Sequence, residues 1–212
     1  MLVSRAMESE TDAEYRDWET APEHDRLVSA IELVKSRPSE AVADLERLAE
    51  STSKIARWMA TYNLAVIYQT GDAFGEPNYA KAEEWWRRSA DEGYRRSEFE
   101  LGCLLRRVGR HEQAMAIFMR LATIEYAPSM RMIGVMYFNG EGVPRDLVQA
   151  RHWWERSIRC GNLHAKALLV GAMVKGQFGW SKIPAGVRLL FSLLADAVRI
   201  APAKSEYAAR ML

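Results

Sequence analysis

Apolar positions along residues 127–162 follow a helical spacing in two runs, with a polar, glycine-rich break between them. The first run ends at Gly140, where glycine readily supplies the positive φ that terminates a helix. Asp146 can then cap a second run, which ends at Gly161. The pattern predicts two antiparallel helices joined by a short loop, a helix hairpin.

A second hairpin of the same design occurs about 68 residues earlier in the chain. Ala82 with the pair Trp85-Trp86 recurs there as Ala150 with the pair Trp153-Trp154. A weaker copy lies midway, which gives a repeat of about 34 residues, the length typical of helical repeats. Such repeats stack into solenoids that present extended binding surfaces.

The pattern predicts a single helical-repeat domain at 23–212, preceded by an acidic tail at 1–22. Its predicted parts are an N-terminal capping hairpin at 23–53, repeats at 54–94, 95–126, 127–162 and 163–198, and a C-terminal helix at 199–212. The fourth repeat is degenerate, as terminal repeats usually are.

The tryptophan pairs favour a packing role over a stacking platform for bases or sugars. Adjacent helical residues point about 100° apart, so one member of each pair can face the hairpin core. Gly134 and Ala150 are small enough to let two helices approach there. Trp180 has no counterpart in the repeats, and we interpret it as a surface anchor.

The loop between the helices of the third repeat carries a specific family pattern. The pattern is Ile133-Gly134-x-x-Tyr137-x-x-Gly140-x-Gly142-Val143-Pro144-x-Asp146, followed by Ala150 and Trp153. It resembles the Sel1-like repeat family, relatives of the tetratricopeptide repeats, and the resemblance covers roughly residues 55–198. Residues 95–126 look closer to a tetratricopeptide unit.

The resemblance implies an all-α fold, a right-handed α-solenoid of about five antiparallel helix hairpins. Members of the family act mostly as adaptors, chaperone-like subunits or signalling scaffolds. Some bacterial members are effectors or immunity proteins. The resemblance therefore implies a bacterial-type binding protein and does not identify its partner.

Charge is distributed unevenly along the chain. The net charge is +1, yet residues 1–25 hold eight acids against Arg5 and Arg16. A mildly basic body thus follows an acidic tail, and the small net charge argues against a general nucleic-acid binder. We hypothesise that the tail is a built-in competitor that folds back into a basic binding groove. This hypothesis predicts that salt weakens the attraction between the tail and the groove.

Catalytic and metal-binding constellations are not evident in the sequence. The four histidines fall in different hairpins without ligand spacing, and Cys103 and Cys160 occupy different points of different repeats. Phosphate-loop and nucleophile-elbow motifs are also missing. We therefore predict no catalytic site, no metal and no cofactor, while an enzyme with an unrecognised site remains a less favoured alternative.

The chain shows neither a run of about 20 apolar residues that could span a membrane nor the apolar core of a secretory signal. The lack of both features predicts a cytoplasmic protein with no membrane span.

A binding face can be inferred from the tetratricopeptide architecture, in which the first helix of each hairpin lines the concave side. There, the ligand-facing side of each first helix is offset from the residues that pack inward. Applied to this chain, the same offset selects Met59, Tyr62, Val66, Gln69, Arg96, Phe99, Cys103, Arg106, Arg131, Val135, Phe138, His164 and Ala167. The set is aromatic and basic, so it suits a peptide with hydrophobic anchors and carboxylates. The alternative is that the arginines are solvated and the aromatics pack between repeats.

We predict a non-enzymatic scaffold or adaptor that binds a peptide segment or partner protein on the concave face. The main alternative is a bacterial immunity or effector protein that binds a toxin domain or host protein. Self-association through the C-terminal helix is a further prediction, because an uncapped repeat presents core residues to water.

Overall fold

The computed structural model describes residues 23–71 and 74–209, with the backbone alone from residue 197 onward. The predicted acidic tail at 1–22 lies outside the described residues. Within them, ten α-helices and one short 3-10 helix form, and no strand occurs. In chain order the α-helices are α1 His24–Leu33, α2 Pro38–Leu48, α3 Lys54–Thr70, α4 Tyr79–Asp91, α5 Arg95–Arg107, α6 His111–Thr123, α7 Ala127–Asn139, α8 Leu147–Arg159, α9 Leu163–Val174 and α10 Ile183–Ala209. The predicted all-α fold class is confirmed.

The chain divides into two compact units, and the division falls inside α6, after Ile117. In the first unit α1 packs on α2 and α3 on α4, while α2 and α4 also contact the helix that follows each of them. In the second unit α7 packs on α8 and α9 on α10, and α8 also contacts α9. Each unit is therefore a stack of helix hairpins, since the short connections reverse the chain direction.

Aromatic side chains fill the core of the first unit. Trp58 stacks on Tyr94 with ring centroids 4.1 Å apart, and its indole N–H donates to the hydroxyl of Ser97 at 3.0 Å. Tyr62 meets Trp86 edge to face at 4.9 Å. Because each ring pairs in a defined geometry, these contacts fix how α3, α4 and α5 pack.

A partly buried ion pair ties α3 to the end of α4. Arg57 donates from Nε and Nη2 to the two carboxylate oxygens of Glu92, at 2.8 and 3.1 Å. Its Nη1 donates to the carbonyls of Ser51 and Thr52, in the connection after α2. Hydrogen bonding from Arg57 lowers the pKa of Glu92, against the opposing effect of burial.

Both tryptophan-containing hairpins end the first helix and begin the second in the same way. Gly71 and Gly140 end the first helices in the left-handed region, with φ of 77° and 76°. Asn78 and Asp146 cap the second helices with their side chains, and the N–H of each donates to the carbonyl of a tyrosine in the last turn of the preceding helix, at 2.7 and 2.9 Å. The predicted stops and caps are confirmed.

One tryptophan of each pair lies in the core. Trp86 and Trp154 are 1% and 2% exposed. Trp85 and Trp153 are partly exposed, each beneath the guanidinium of an arginine three residues later. This confirms the packing interpretation of the pairs. Trp180, interpreted as a surface anchor, is 85% exposed.

The C-terminal part of the chain differs from the sequence prediction. A boundary was expected between a repeat ending at residue 198 and a separate helix at 199–212, but α10 runs across that position from Ile183 to Ala209. Residues 187–201 hold neither glycine nor proline, and the helix continues through Pro202 at the loss of one backbone hydrogen bond, the one to the carbonyl of residue 198.

The contact between α7 and α8 predicts a strict size limit at Gly134. A Cβ there would lie 2.5 Å from the indole Nε1 of Trp154. We expect Gly134→Ala to lower the free energy of unfolding by about 1–3 kcal/mol through overpacking. Urea denaturation followed by circular dichroism measures this change.

Gly171 is the matched control, because it is also helical and a Cβ there meets no atom within 4 Å. Gly171→Ala should be neutral or raise the free energy of unfolding by up to about 1 kcal/mol, as alanine favours helix over glycine. Equal destabilisation by both changes would contradict a packing limit specific to Gly134.

The Arg57 ion pair predicts a pH dependence of stability. Because the folded-state pKa of Glu92 is lowered, its contribution is complete above the ordinary carboxyl pKa of 4.5 and is lost as the pH falls through the folded-state value. Glu92→Gln should therefore lower Tm at neutral pH, and its difference from the native protein should shrink in acid. Glu84→Gln, at an exposed position of α4, should leave Tm nearly unchanged at neutral and at acidic pH.

Candidate functional site

Three side chains of the predicted binding face are buried in the first unit. Met59, Tyr62 and Phe99 are only 0%, 5% and 6% exposed. They contribute to packing and offer little surface to a partner, as the alternative interpretation of the aromatics held. The offset taken from tetratricopeptide repeats therefore selects, in part, residues that lie in the core of this chain.

The other predicted binding-face residues of the first unit are partly exposed. Gln69 accepts a hydrogen bond from the indole N–H of Trp86 at 2.8 Å, so its amide oxygen already has a structural partner. Val66, Cys103 and Arg106 are partly exposed. Their assignment to a partner-binding face stays a prediction.

The charge of the face in the first unit also differs from the prediction. Arg96 forms an ion pair with Glu100 at 2.8 Å, one turn further along α5. The selected set is basic, but this neighbouring carboxylate partly neutralises it in the first unit. The signal was in the sequence, because oppositely charged residues four apart on a helix are neighbours.

In the second unit the predicted residues stay accessible. Arg131, Val135 and Phe138 on α7 are partly exposed, and His164 and Ala167 on α9 are exposed. Leu168, which the sequence analysis did not select, is 37% exposed on the same side of α9. We call this group of six residues the α7–α9 face.

Trp154 positions the α7 part of this face from beneath. Its indole N–H donates to the carbonyl of Arg131 at 3.2 Å, and its ring centroid lies 5.3 Å from that of Phe138. Val135 and Phe138 pack against the cluster that Trp154 forms with residues of α9. The two helices thus present their outer sides next to each other, on a rigid core.

The electrostatic character of the face follows from its two helices. Neither α7 nor α9 contains an aspartate or glutamate. Lys166 of α9 is buried and points to Asp196 and Ser192 of α10, so it adds little charge to the outer surface. Arg145 adds a positive edge, since its guanidinium lies 5.6 Å from the ring centroid of Phe138.

The described part of the chain also bears on metal chemistry and on membrane insertion. There, no cluster of three or more histidine, cysteine or acidic side chains is placed to hold a metal ion. Among those residues, too, no helix combines the length and apolar character needed to cross a membrane.

What the α7–α9 face offers chemically is apolar surface bordered by hydrogen-bond donors, which suits binding.

Comparison with known families identifies the two hairpins that the sequence pattern picked out. The Sel1 repeat model matches residues 58–94 and 127–162. Sel1-repeat proteins are generally protein-interaction scaffolds and are typically not enzymes. No curated protein matches the chain significantly.

Solved structures show a similar fold. A Sel1 repeat protein from Oxalobacter formigenes matches with a TM-score of 0.57 and 24% identity, covering 73% of this chain and 61% of its own. The protein c5321, a protective antigen of uropathogenic Escherichia coli strains with an SLR fold, matches with a TM-score of 0.55 and 23% identity, covering 79% of this chain and 37% of its own. The chain thus spans less than two thirds of either structure, and the likeness shows the fold alone.

Proposed function

We propose that this chain, which contains two Sel1 repeats, is a protein-interaction scaffold that binds an acidic segment of a partner protein on its α7–α9 face. The observation that carries the proposal is the composition of that face. It combines partly exposed apolar side chains with cationic groups, on two helices that contain no acid.

The apolar part of the face supplies the anchor site. Phe138 and Val135 are held on the core cluster, so a partner side chain would meet a surface that is already ordered. Binding to ordered side chains costs less conformational entropy than binding to mobile ones. A leucine or phenylalanine of the partner, placed against Phe138 and Leu168, would fit this surface.

The cationic part of the face orients the bound partner segment. Arg131 on α7 and Arg145 beside Phe138 add positive charge along the apolar strip. Arg145 already donates from Nε to the carbonyl of Phe138 and from Nη2 to the amide oxygen of Gln177, so it would attract a carboxylate through its charge and its remaining N–H groups. An acidic segment with one or two apolar residues matches both features. Affinity for it should fall with rising salt, because exposed charges are screened.

The face can be tested with a phage-displayed random peptide library selected on the native protein, followed by fluorescence polarisation with labelled synthetic peptides. We expect selected peptides to combine acidic residues with a leucine or aromatic anchor. Arg131→Ala should weaken their binding about tenfold, the effect of losing one charged hydrogen bond.

A pair of matched variants separates this face from general charge effects. Ala167→Glu adds one negative charge on the face, and Val148→Glu adds the same charge at a 77% exposed position of α8. We expect several-fold weaker binding for the first variant only. Peptides without acidic residues, or equal loss in both variants, would contradict the proposal.

The acidic N-terminal residues have the composition of such a ligand. Residues 1–22 therefore provide a second test of the face, as an intramolecular competitor. Deleting them should tighten binding of the selected acidic peptide and change its salt dependence. An unchanged affinity and salt response would remove the competitor hypothesis while leaving the binding face intact.

A further inference from the structure

Helix α10 has two faces of different character. On one side, Gly186 approaches α9 so closely that a Cβ would lie 2.7 Å from the Cβ of Met173, and Leu189 packs against the core cluster. Asp196, on the same side, pairs with the buried Lys166. These contacts fix the rotation of α10 about its own axis.

On the other side, α10 exposes a row of large apolar side chains at spacings of three and four residues, which form one stripe on a helix. Their exposed fractions are 39%, 36%, 67% and 54% for Val187, Leu190, Phe191 and Leu194. We call these four residues the α10 stripe. Its exposure shows that nothing in the described residues covers it.

The repeat register explains why two residues of this stripe, Leu190 and Leu194, are apolar. Gly186 takes the place in α10 that Ala150 takes in α8, 36 residues earlier, and both are buried where two helices meet. The same register aligns Leu190 with Trp154 and Leu194 with Ile158. Trp154 and Ile158 pack against α9, the first helix of the following hairpin. Leu190 and Leu194 therefore occupy positions that pack onto the next hairpin in α8. Val187 and Phe191 align with the ion pair of Arg151 and Glu155, so their apolar side chains are particular to α10.

We propose that a second copy of this chain covers the α10 stripe, in a symmetric dimer that pairs the two α10 helices antiparallel. The stripe contains no charge, and the only charged residues of 183–196 are Arg188 and Asp196, the latter already paired with Lys166. Two copies can thus meet without opposing like charges. This inference is independent of the α7–α9 face.

A head-to-tail arrangement is disfavoured by the other end of the described chain. The exposed positions of α1 are polar or charged, namely Asp25, Arg26, Ser29 and Glu32. Packing the apolar stripe against them would desolvate charges without partners. A symmetric interface instead uses the same surface twice and closes on itself.

Sedimentation velocity over a range of concentrations tests the dimer directly, with the full-length chain. We expect the native protein to dimerise and Phe191→Asp to raise the dimer dissociation constant about thirty-fold or more, as for a central aromatic contact. Val148→Asp places the same charge at an exposed apolar residue of α8, and it should leave the constant unchanged. Circular dichroism shows whether each variant is folded.

The symmetry can be tested separately by thiol cross-linking. Phe191 lies near the middle of the stripe, so an antiparallel pair brings its two copies together at the symmetry axis. With Cys103 and Cys160 replaced by serine, Phe191→Cys should be cross-linked into a dimer by a short bis-maleimide, and Val148→Cys should not.

Three results would overturn the proposal. They are a monomer at all concentrations, a dimer that Phe191→Asp leaves intact, and open-ended assemblies in place of a closed dimer. Because Phe191 is 67% exposed, its substitution should not unfold the protein. If it does, Leu194→Gln with the cross-linking experiment provides the same test.

Discussion

The fit of Trp154 against Gly134 is the contact on which the second unit depends. The indole fills the space between α7 and α8 because Gly134 has no side chain, and a Cβ there would lie 2.5 Å from the indole nitrogen. The same ring belongs to the cluster with Ala165 and Leu169 of the next hairpin. One buried side chain thus joins two hairpins, so the packing within a repeat and between repeats cannot vary independently.

This contact also connects the core to the surface proposed to bind a partner. Trp154 donates to the carbonyl of Arg131 and lies beneath Phe138, so the backbone and the apolar part of the α7–α9 face are held by the core. In the first unit, Gln69 stands where Phe138 stands in the second, and it accepts a hydrogen bond from the indole of Trp86. Tyr62, which aligns with Arg131, is buried edge to face against Trp86. The two units therefore use similar hairpins to different effect.

The α10 helix shows how a repeat pattern can leave an apolar surface exposed. Within the two units, α2, α4 and α8 each pack against the first helix of the hairpin that follows, because a repeat cannot bury its hydrophobic surface alone. At Leu190 and Leu194 the same positions stay apolar but lie exposed. The repeat pattern that makes the core thus also makes a surface able to associate.

The sequence by itself determined most of the helices, the stops and caps of their loops, and the burial of one member of each tryptophan pair, because glycine stops, side-chain caps and apolar spacing act over a few neighbouring residues. Tertiary structure decided which selected residues are exposed. Burial of Met59 and Phe99, pairing of Lys166 with Asp196, and the outward face of α10 depend on how helices rotate and pack against others distant in the sequence. Local spacing places a residue on a helix but does not fix which neighbour covers it.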